Sequence, residues 1–304
     1  MTKQPQSVFV SGVLLALLGA VLFSTKAVFV KLAYRDTEVD AISLLALRMI
    51  FSLPFFVISA AVSSSKQNNV RFTNKQWLQV ALVGCLGYYI SSLLDFLGLQ
   101  YVTAGIERLI LFIYPTLVLL MSAIIFKVKI KPIQWLALAI TYVGLLAAFI
   151  SEVDVQSAQN KNFLLGSLFI FVCAFTYEAY IVGSGRLIPI IGAAKFNSYA
   201  MSFASVGVLL HFFITSEVSL WHFSLPVYGY GFLMAVLSTV IPSYLVVAGI
   251  KRIGSDNAAI VGSIGPVSTI VMAYFFLQET VSGLQLLGTV LILAGVLMVG
   301  KQKA

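Results

Sequence analysis

Six ionisable side chains interrupt stretches of sequence that are otherwise strongly apolar. They are Lys26, Arg48, Asp95, Glu107, Arg108 and Glu178. An ionised side chain in hydrocarbon costs at least about 2.5 to 3.5 kcal/mol, so such residues usually face a protein interior or a wet cavity. Two kinds of chemistry fit them: binding of a charged solute with proton exchange, or mutual neutralisation in a structural ion-pair cluster. Arg48 favours a structural role, because its long side chain can reach the headgroups.

Polar and aromatic residues recur at helical spacing beside one of these charges. Gly84, Tyr88, Ser91 and Asp95 are separated by four, three and four residues, which places them on one stripe of a helix. Lipid does not solvate such a stripe, so it is predicted to face inward. An aromatic surface with a few convergent polar groups is typical of a small-molecule site, although tyrosines also simply pack between helices.

A second face of the same kind follows along the chain. Glu107, Leu111 and Tyr114 lie on one side of the next helix, and Arg108 lies beside them. The complete set predicted to bind substrate is Lys26, Tyr88, Ser91, Asp95, Glu107, Arg108, Tyr114, Tyr244 and Ser263.

Three prolines within apolar runs predict breaks in helices. They are Pro115, Pro242 and Pro266. Proline removes the hydrogen bond to the carbonyl four residues earlier, which frees the carbonyls of Leu111, Ser238 and Gly262. Freed carbonyls at membrane depth need polar partners or water. The prolines are therefore predicted to shape a cavity wall and its gating, with a simple kink as the alternative.

Glu178 is the only formal charge in its apolar stretch, residues 163 to 185. Burial favours the protonated form of an isolated carboxyl group. Such a group either exchanges protons during a change of access, which predicts proton coupling, or remains neutral and hydrogen-bonds a neighbouring helix. Both interpretations stay open.

The elements that must position these residues are membrane helices. Hydrophobic residues make up 60% of the 304 and charged residues 10%, against about half and about a quarter in soluble domains. Continuous apolar runs near the length of ~20 residues that a helical crossing needs exclude a membrane β-barrel. The predicted spans are 4–25, 41–62, 76–94, 109–126, 132–151, 163–185, 196–216, 223–250, 257–278 and 280–300.

The basic residues predict the orientation. Of the nineteen Lys and Arg, thirteen fall on one set of connections and three on the other. Because cytoplasmic loops carry the excess, both termini are predicted to be cytoplasmic, in a cell (inner) membrane. This explains the net charge of +8 without a nucleic-acid partner. Cys85 and Cys173 lie within spans and predict no disulfide.

An internal repeat divides the chain into residues 1–151 and 152–304. A shift of 151 residues superimposes Pro115 on Pro266 and Gly98 on Gly249. Five spans per repeat is an odd number, so the halves insert in opposite orientations, and such repeats meet at a mid-membrane substrate site. The predicted fold class is an all-α integral membrane protein with ten transmembrane helices in two inverted five-helix repeats.

With these features the sequence resembles EamA-type transporters of the drug/metabolite transporter superfamily over essentially its whole length. The resemblance rests on Phe23-Ser24-Thr25, on Ala104-Gly105-Ile106-Glu107-Arg108 through Tyr114-Pro115-Thr116, and on Ile264-Gly265-Pro266 through Leu277-Gln278-Glu279. The acidic residue that commonly closes the fourth and ninth spans is present as Glu279 but replaced by Val128 in the first half. The resemblance implies a permease, usually an exporter of amino acids or related compounds.

The predicted function is therefore secondary transport of a small metabolite by alternating access, with the substrate and the lipid bilayer as partners and no cofactor. A nucleotide-sugar or phosphate-ester carrier is the alternative substrate class, since Lys26 and Arg108 can hold an anion. A channel is the alternative transport class, although the sequence contains no selectivity-filter loop. His211 and His222 lack a metal-ligand cluster, and no catalytic motif favours an enzyme.

Overall fold

A computed structural model describes residues 6–65, 71–111, 161–262 and 264–300, with scattered residues between 113 and 147. Every element in this part of the chain is helical. The helices are α1 (Gln6–Asp36), α2 (Ala41–Ser64), α3 (Asn74–Leu99), α4 (Ala104–Leu111), α5 (Phe163–Ile191), α6 (Ala193–Thr215), α7 (Leu225–Ala235), α8 (Ile241–Gly262), α9 (Ile264–Met272) and α10 (Gly283–Gly300).

Six helical stretches of the described residues are long and apolar enough to cross a membrane. They are Gln6–Asp36, Ala41–Ser64, Asn74–Leu99, Phe163–Ile191, Ala193–Thr215 and Leu225–Ile253. Each coincides with a predicted span. The predicted fourth and fifth spans lie mostly in the partly described region, and the predicted total of ten remains a prediction.

Three short π-helical turns interrupt the regular helices. They are Cys85–Ile90 within α3, Val236–Val240 between α7 and α8, and Ala273–Leu277 after α9. The first two begin 151 residues apart, which is the offset of the sequence repeat. Turns of this type widen the helix by one residue and often occur at functional sites.

Local signals fix several helix ends. Asp40 accepts a hydrogen bond from the backbone N–H of Ser43 and so caps α2. Thr73 and Gln76 form a reciprocal capping box at the start of α3. Gly192 alone connects α5 to α6, with a φ of 90° that an L side chain rarely adopts.

Small residues allow the helices to approach closely. A Cβ atom on Gly249 of α8 would lie 3.0 Å from Ala16 Cβ of α1, and one on Gly84 of α3 would lie 2.8 Å from Ala200 Cα of α6. Membrane helices associate through such close packing, since lipid provides little hydrophobic driving force between them.

Two boundaries differ from those predicted by the sequence. α1 continues to Asp36 rather than ending near residue 25, because the cations in its last turns have partners: Lys31 Nζ donates to the carbonyls of Leu99 and Val102, each at 3.1 Å. α8 also continues through residues 251–256, which were predicted to connect two spans.

The helices run between two ends of the bundle. α1 ends, α2 begins and α3 ends on the side of Asp36, where Tyr34 donates to the carbonyl of Phe96. α2 ends and α6 begins on the side of Gly192, where the hydroxyls of Ser64 and Tyr199 lie 2.9 Å apart. We refer to these two sides of the bundle as the Asp36 end and the Gly192 end.

Candidate functional site

A buried ion network joins α1, α3 and α4. Lys26 Nζ lies 2.8 Å from Asp95 Oδ2 and 3.8 Å from Glu107 Oε1, and Arg108 Nε lies 2.9 Å from Glu107 Oε2. Both acidic side chains are fully buried, whereas those of Lys26 and Arg108 keep 15% and 10% of their surface exposed. The cations therefore face the adjoining space and the acids lie behind them.

Arg48 of α2 contacts one of the π-helical turns that are related by the repeat offset and a residue that follows the other. Its Nε donates to Thr239 Oγ1 at 2.7 Å, within the turn before α8. Its Nη1 donates to Ser92 Oγ at 3.4 Å, just after the turn in α3. The guanidinium also lies 5.6 Å from the centroid of the Phe96 ring. Among the described residues, no carboxylate forms an ion pair with Arg48.

A cavity of about 650 Å³ lies beside the ion network. Lys26 and Arg108 line its inner end, and it extends along α5 and α8 to Gly192 and Lys251, which are exposed. The cavity is thus open at the Gly192 end. Its volume lies within the range of small-molecule sites, roughly 300 to 1,000 Å³.

Glu178 lies on the face of α5 that lines this cavity. The residue is 1% exposed, and no described group forms a hydrogen bond with its Oε2. Residues four apart on a helix share a face, which places Ala174 and Glu178 together on the cavity wall. A carboxyl group in this position can hold a proton or bind a cationic group of a ligand.

Tyrosines form the aromatic part of the wall. Tyr88 and Tyr177 both line the cavity, and their ring centroids are 6.5 Å apart in an edge-to-face arrangement. Tyr180 packs behind Tyr88 at 4.9 Å and donates a hydrogen bond to its hydroxyl at 3.4 Å. This second contact fixes the Tyr88 ring on the wall.

Polar contacts join helices at the Asp36 end of the bundle. Glu279 accepts hydrogen bonds from the backbone N–H groups of Ala104, at 3.0 Å, and Gly105, at 3.1 Å. A carboxylate is favoured at a helix N-terminus, so Glu279 anchors the end of the α9 segment to α4. Tyr230 donates to Asp36, which joins α7 to α1 at the same level.

The structure brings together most of the residues predicted to bind substrate. Those on the cavity wall are Lys26, Tyr88, Ser91 and Arg108. Asp95 and Glu107 support them from behind through the ion network. Tyr244 does not line this cavity; its ring lies 5.8 Å from that of Phe56, and its hydroxyl lies 3.1 Å from that of Ser198.

Several predicted positions require separate comment. Tyr114, Pro115 and Ser263 lie outside the described residues. Pro242 lies at the start of α8, directly after the π-helical turn, and Pro266 lies within α9. The turn before Pro242 contains Ser238, whose carbonyl was predicted to be freed.

Arg48 was predicted to have a structural role, with a side chain that can reach the headgroups. The structure places it on the cavity wall, with 2% of its surface exposed. Its partner Thr239 is 191 residues away, and the signal that identifies the pair is the π-helical turn, which the sequence does not reveal.

Comparisons with known proteins identify the family of the chain. The chain matches the EamA-like transporter family twice, over residues 10–150 and 164–301. The chain belongs to this family. The uncharacterized transporter YcbK of Bacillus subtilis is 31% identical over 91% of this chain and 89% of its own length. The uncharacterized transporter sll1319 of Synechocystis is 23% identical over 96% and 94% of the two chains.

A solved structure shares the fold of this chain. A crystal structure that is 18% identical covers 97% of this chain and 99% of its own, with a TM-score of 0.68. At that identity the likeness concerns the fold alone. Family membership and the apolar helices together establish a multi-pass membrane protein of a transporter family.

Proposed function

We propose that this protein is a secondary carrier that moves small metabolites such as amino acids or related compounds by alternating access. The observation that carries the proposal is the cavity of about 650 Å³, which opens at the Gly192 end and stops at the ion network. A carrier in one of its two states has this form, with a central site exposed to a single side.

The distribution of basic residues supports an orientation for this state. The positive-inside rule assigns the connection at Gly192 to the cytoplasm, together with both termini. The cavity is then open to the cytoplasm and closed toward the outside of an inner membrane.

Two observations support a duplicated architecture with halves at 1–151 and 152–304. The EamA-like family matches each half separately, and π-helical turns begin at Cys85 and Val236, at the repeat offset. In inverted-repeat carriers the substrate site lies between the halves, where Arg48 contacts Thr239.

The charges favour an amino-acid-like substrate over a phosphate ester. Lys26 and Arg108 are neutralised by Asp95 and Glu107, so they offer little net charge to a dianion. The wall also contains the acid Glu178, which repels a phosphate when ionised but can bind an amino group. A channel needs a continuous path, whereas the described contacts of Glu279 and the ion network join helices between the cavity and the Asp36 end, which favours a carrier.

Glu178 is our candidate for coupling to protons. It lies on the wall of the cavity that opens at the Gly192 end. The same wall also contains Lys26, Arg48, Arg108, Tyr88 and Tyr177. A carboxyl group that takes up a proton in one state and releases it in the other couples transport to the proton gradient.

Counterflow in proteoliposomes tests the proposed function. Vesicles loaded with one unlabelled amino acid at a time are diluted into a trace of the labelled compound. A carrier gives a transient, saturable accumulation of label. Linear flux without saturation indicates a channel, and no flux with any compound contradicts the proposal.

A further inference from the structure

The charges at the inner end of the cavity do not balance. The cations there are Lys26, Arg48 and Arg108, and the acids are Asp95 and Glu107. Lys26 and Arg108 each have an acid within ion-pair distance. With these five groups ionised and Glu178 of the same wall protonated, one positive charge remains, and it belongs to Arg48, which has no ion-pair partner among the described residues.

The surroundings of Arg48 hold its side chain in one position without neutralising it. Thr239 and Ser92 accept hydrogen bonds from Nε and Nη1, and Phe96 covers the guanidinium. A guanidinium carries five N–H groups. Two of them donate hydrogen bonds to described residues, and three have no hydrogen-bond acceptor among the described residues. Asp95 is near enough to interact electrostatically, but its carboxylate lies 2.8 Å from Lys26.

A buried cation without a counter-ion is costly, and a ligand anion removes that cost. The guanidinium fork matches the two oxygens of a carboxylate, and a single excess charge matches a monoanion better than a phosphate dianion. We propose that Arg48 binds the carboxylate of the transported compound. This inference rests on the proposed transport function and names the ligand group and the residue that recognises it.

The position of Arg48 gives this contact a second consequence. One partner, Thr239, lies in the π-helical turn before α8, and the other, Ser92, lies two residues after the turn in α3, so each half of the chain supplies one. A carboxylate bound to the N–H groups of Arg48 that the described residues leave unengaged links the two halves of the chain through the substrate. Substrate binding therefore acts on α3 and α8 next to their π-helical turns.

The experiment uses the purified full-length protein and the twenty common L-amino acids, each beside its carboxamide, which lacks the negative charge. Binding is measured as stabilisation against heat, which does not depend on transport. Wild type is expected to bind at least one amino acid about 10- to 100-fold more tightly than its amide, as a charge-assisted hydrogen bond requires. Arg48→Gln is expected to lose this preference, while Arg48→Lys retains part of it.

Two further variants distinguish loss of the Arg48 contact from misfolding of the protein. Thr239→Val leaves the Arg48 charge but removes its 2.7 Å partner, so the preference should weaken several-fold and not vanish. Arg71→Gln changes an exposed arginine outside the helices and should leave the preference unchanged. All variants are compared only as monodisperse protein with wild-type helical content.

The outcomes separate this inference from the proposed function. Wild type that binds every amino acid no better than its amide overturns the role of Arg48, and so does an Arg48→Gln variant that keeps the wild-type preference. If Arg48→Gln does not fold as a monodisperse protein, the test relies on Arg48→Lys and Thr239→Val. An unchanged preference for the carboxylate in both of these variants overturns the inference. Absence of counterflow in wild type contradicts the carrier proposal instead, whatever the binding preference.

Discussion

Lys26 Nζ on α1 lies 2.8 Å from Asp95 Oδ2 on α3, at the level where the cavity ends. The same two helices are also joined by hydrogen bonds to backbone carbonyls, such as those from Tyr34 to Phe96 and from Lys31 to Leu99. Because Asp95 is fully buried, the pair has to remain matched in charge.

Removing one member of this pair should therefore cost more than removing both. Asp95→Asn leaves Lys26 with only the longer contact to Glu107 and is expected to destabilise the protein by about 3 to 5 kcal/mol. Lys26→Met combined with Asp95→Asn should recover part of that loss, as measured by thermal unfolding in detergent. Losses that simply add in the double variant would show that the two side chains are not coupled.

Glu178→Gln should separate exchange from accumulation. The amide keeps the shape and a hydrogen-bonding group but cannot titrate. We expect the variant to retain substrate exchange at equal concentrations and to lose accumulation driven by a proton gradient. Ser184→Ala on the same cavity face is the matched control. Unchanged accumulation with a wild-type pH profile would make Glu178 a structural residue.

Glu279→Ala should loosen the Asp36 end. The variant removes the acceptor for the N–H groups of Ala104 and Gly105, a contact at a helix N-terminus that contributes from 0.3 to roughly 2 kcal/mol. A bundle less firmly closed there should react faster with impermeant reagents at cavity cysteines from that side. Glu38→Gln, an exposed acid at the same end, should not have this effect. Equal rates in the two variants would argue against a closing role for Glu279.

Gly84→Ala tests the close contact of α3 with α6. The added Cβ would lie 2.5 Å from the Ala200 carbonyl oxygen and 2.8 Å from its Cα, and backbone atoms cannot move aside as a flexible side chain does. Overpacking of this kind typically costs about 1 to 3 kcal/mol. Gly229→Ala, with no atom within 4 Å of the new Cβ, should be neutral or slightly stabilising by the same thermal measurement. Similar losses in both variants would point to helix effects and not to the contact.

The sequence predicted the apolar helices well and their ends less well. A rule that ends a span at its first charge placed the end of the first helix near residue 25, yet the helix continues past Lys26 and Lys31. Both cations have partners from α3 and its following turn, which lie about 70 residues away along the chain. Pairing that is distant in sequence decides whether a charge can stay in a membrane helix, and one sequence does not display it.

The predicted stripe from Gly84 to Asp95 shows a second limit. Regular helical spacing placed these residues on one face, but the π-helical turn at Cys85–Ile90 adds a residue to the turn and rotates the two sides relative to each other. Tyr88 and Ser91 face the cavity, while Gly84 contacts α6. Ser91 on the cavity wall and Asp95 in the ion network still have polar surroundings, because these side chains need them whatever the exact register.

The accessibility of one cavity residue from the two membrane faces tests the alternating-access account most directly. Phe23 lines the cavity one turn from Lys26 and is half-buried. Phe23→Cys, in a background with Cys85 and Cys173 replaced by serine, is treated with an impermeant maleimide in intact cells and in inside-out vesicles. The account predicts reaction from both faces, fast from the cytoplasm, with an outward substrate gradient shifting the two rates in opposite directions. Reaction from one face only, under every substrate condition, would contradict it.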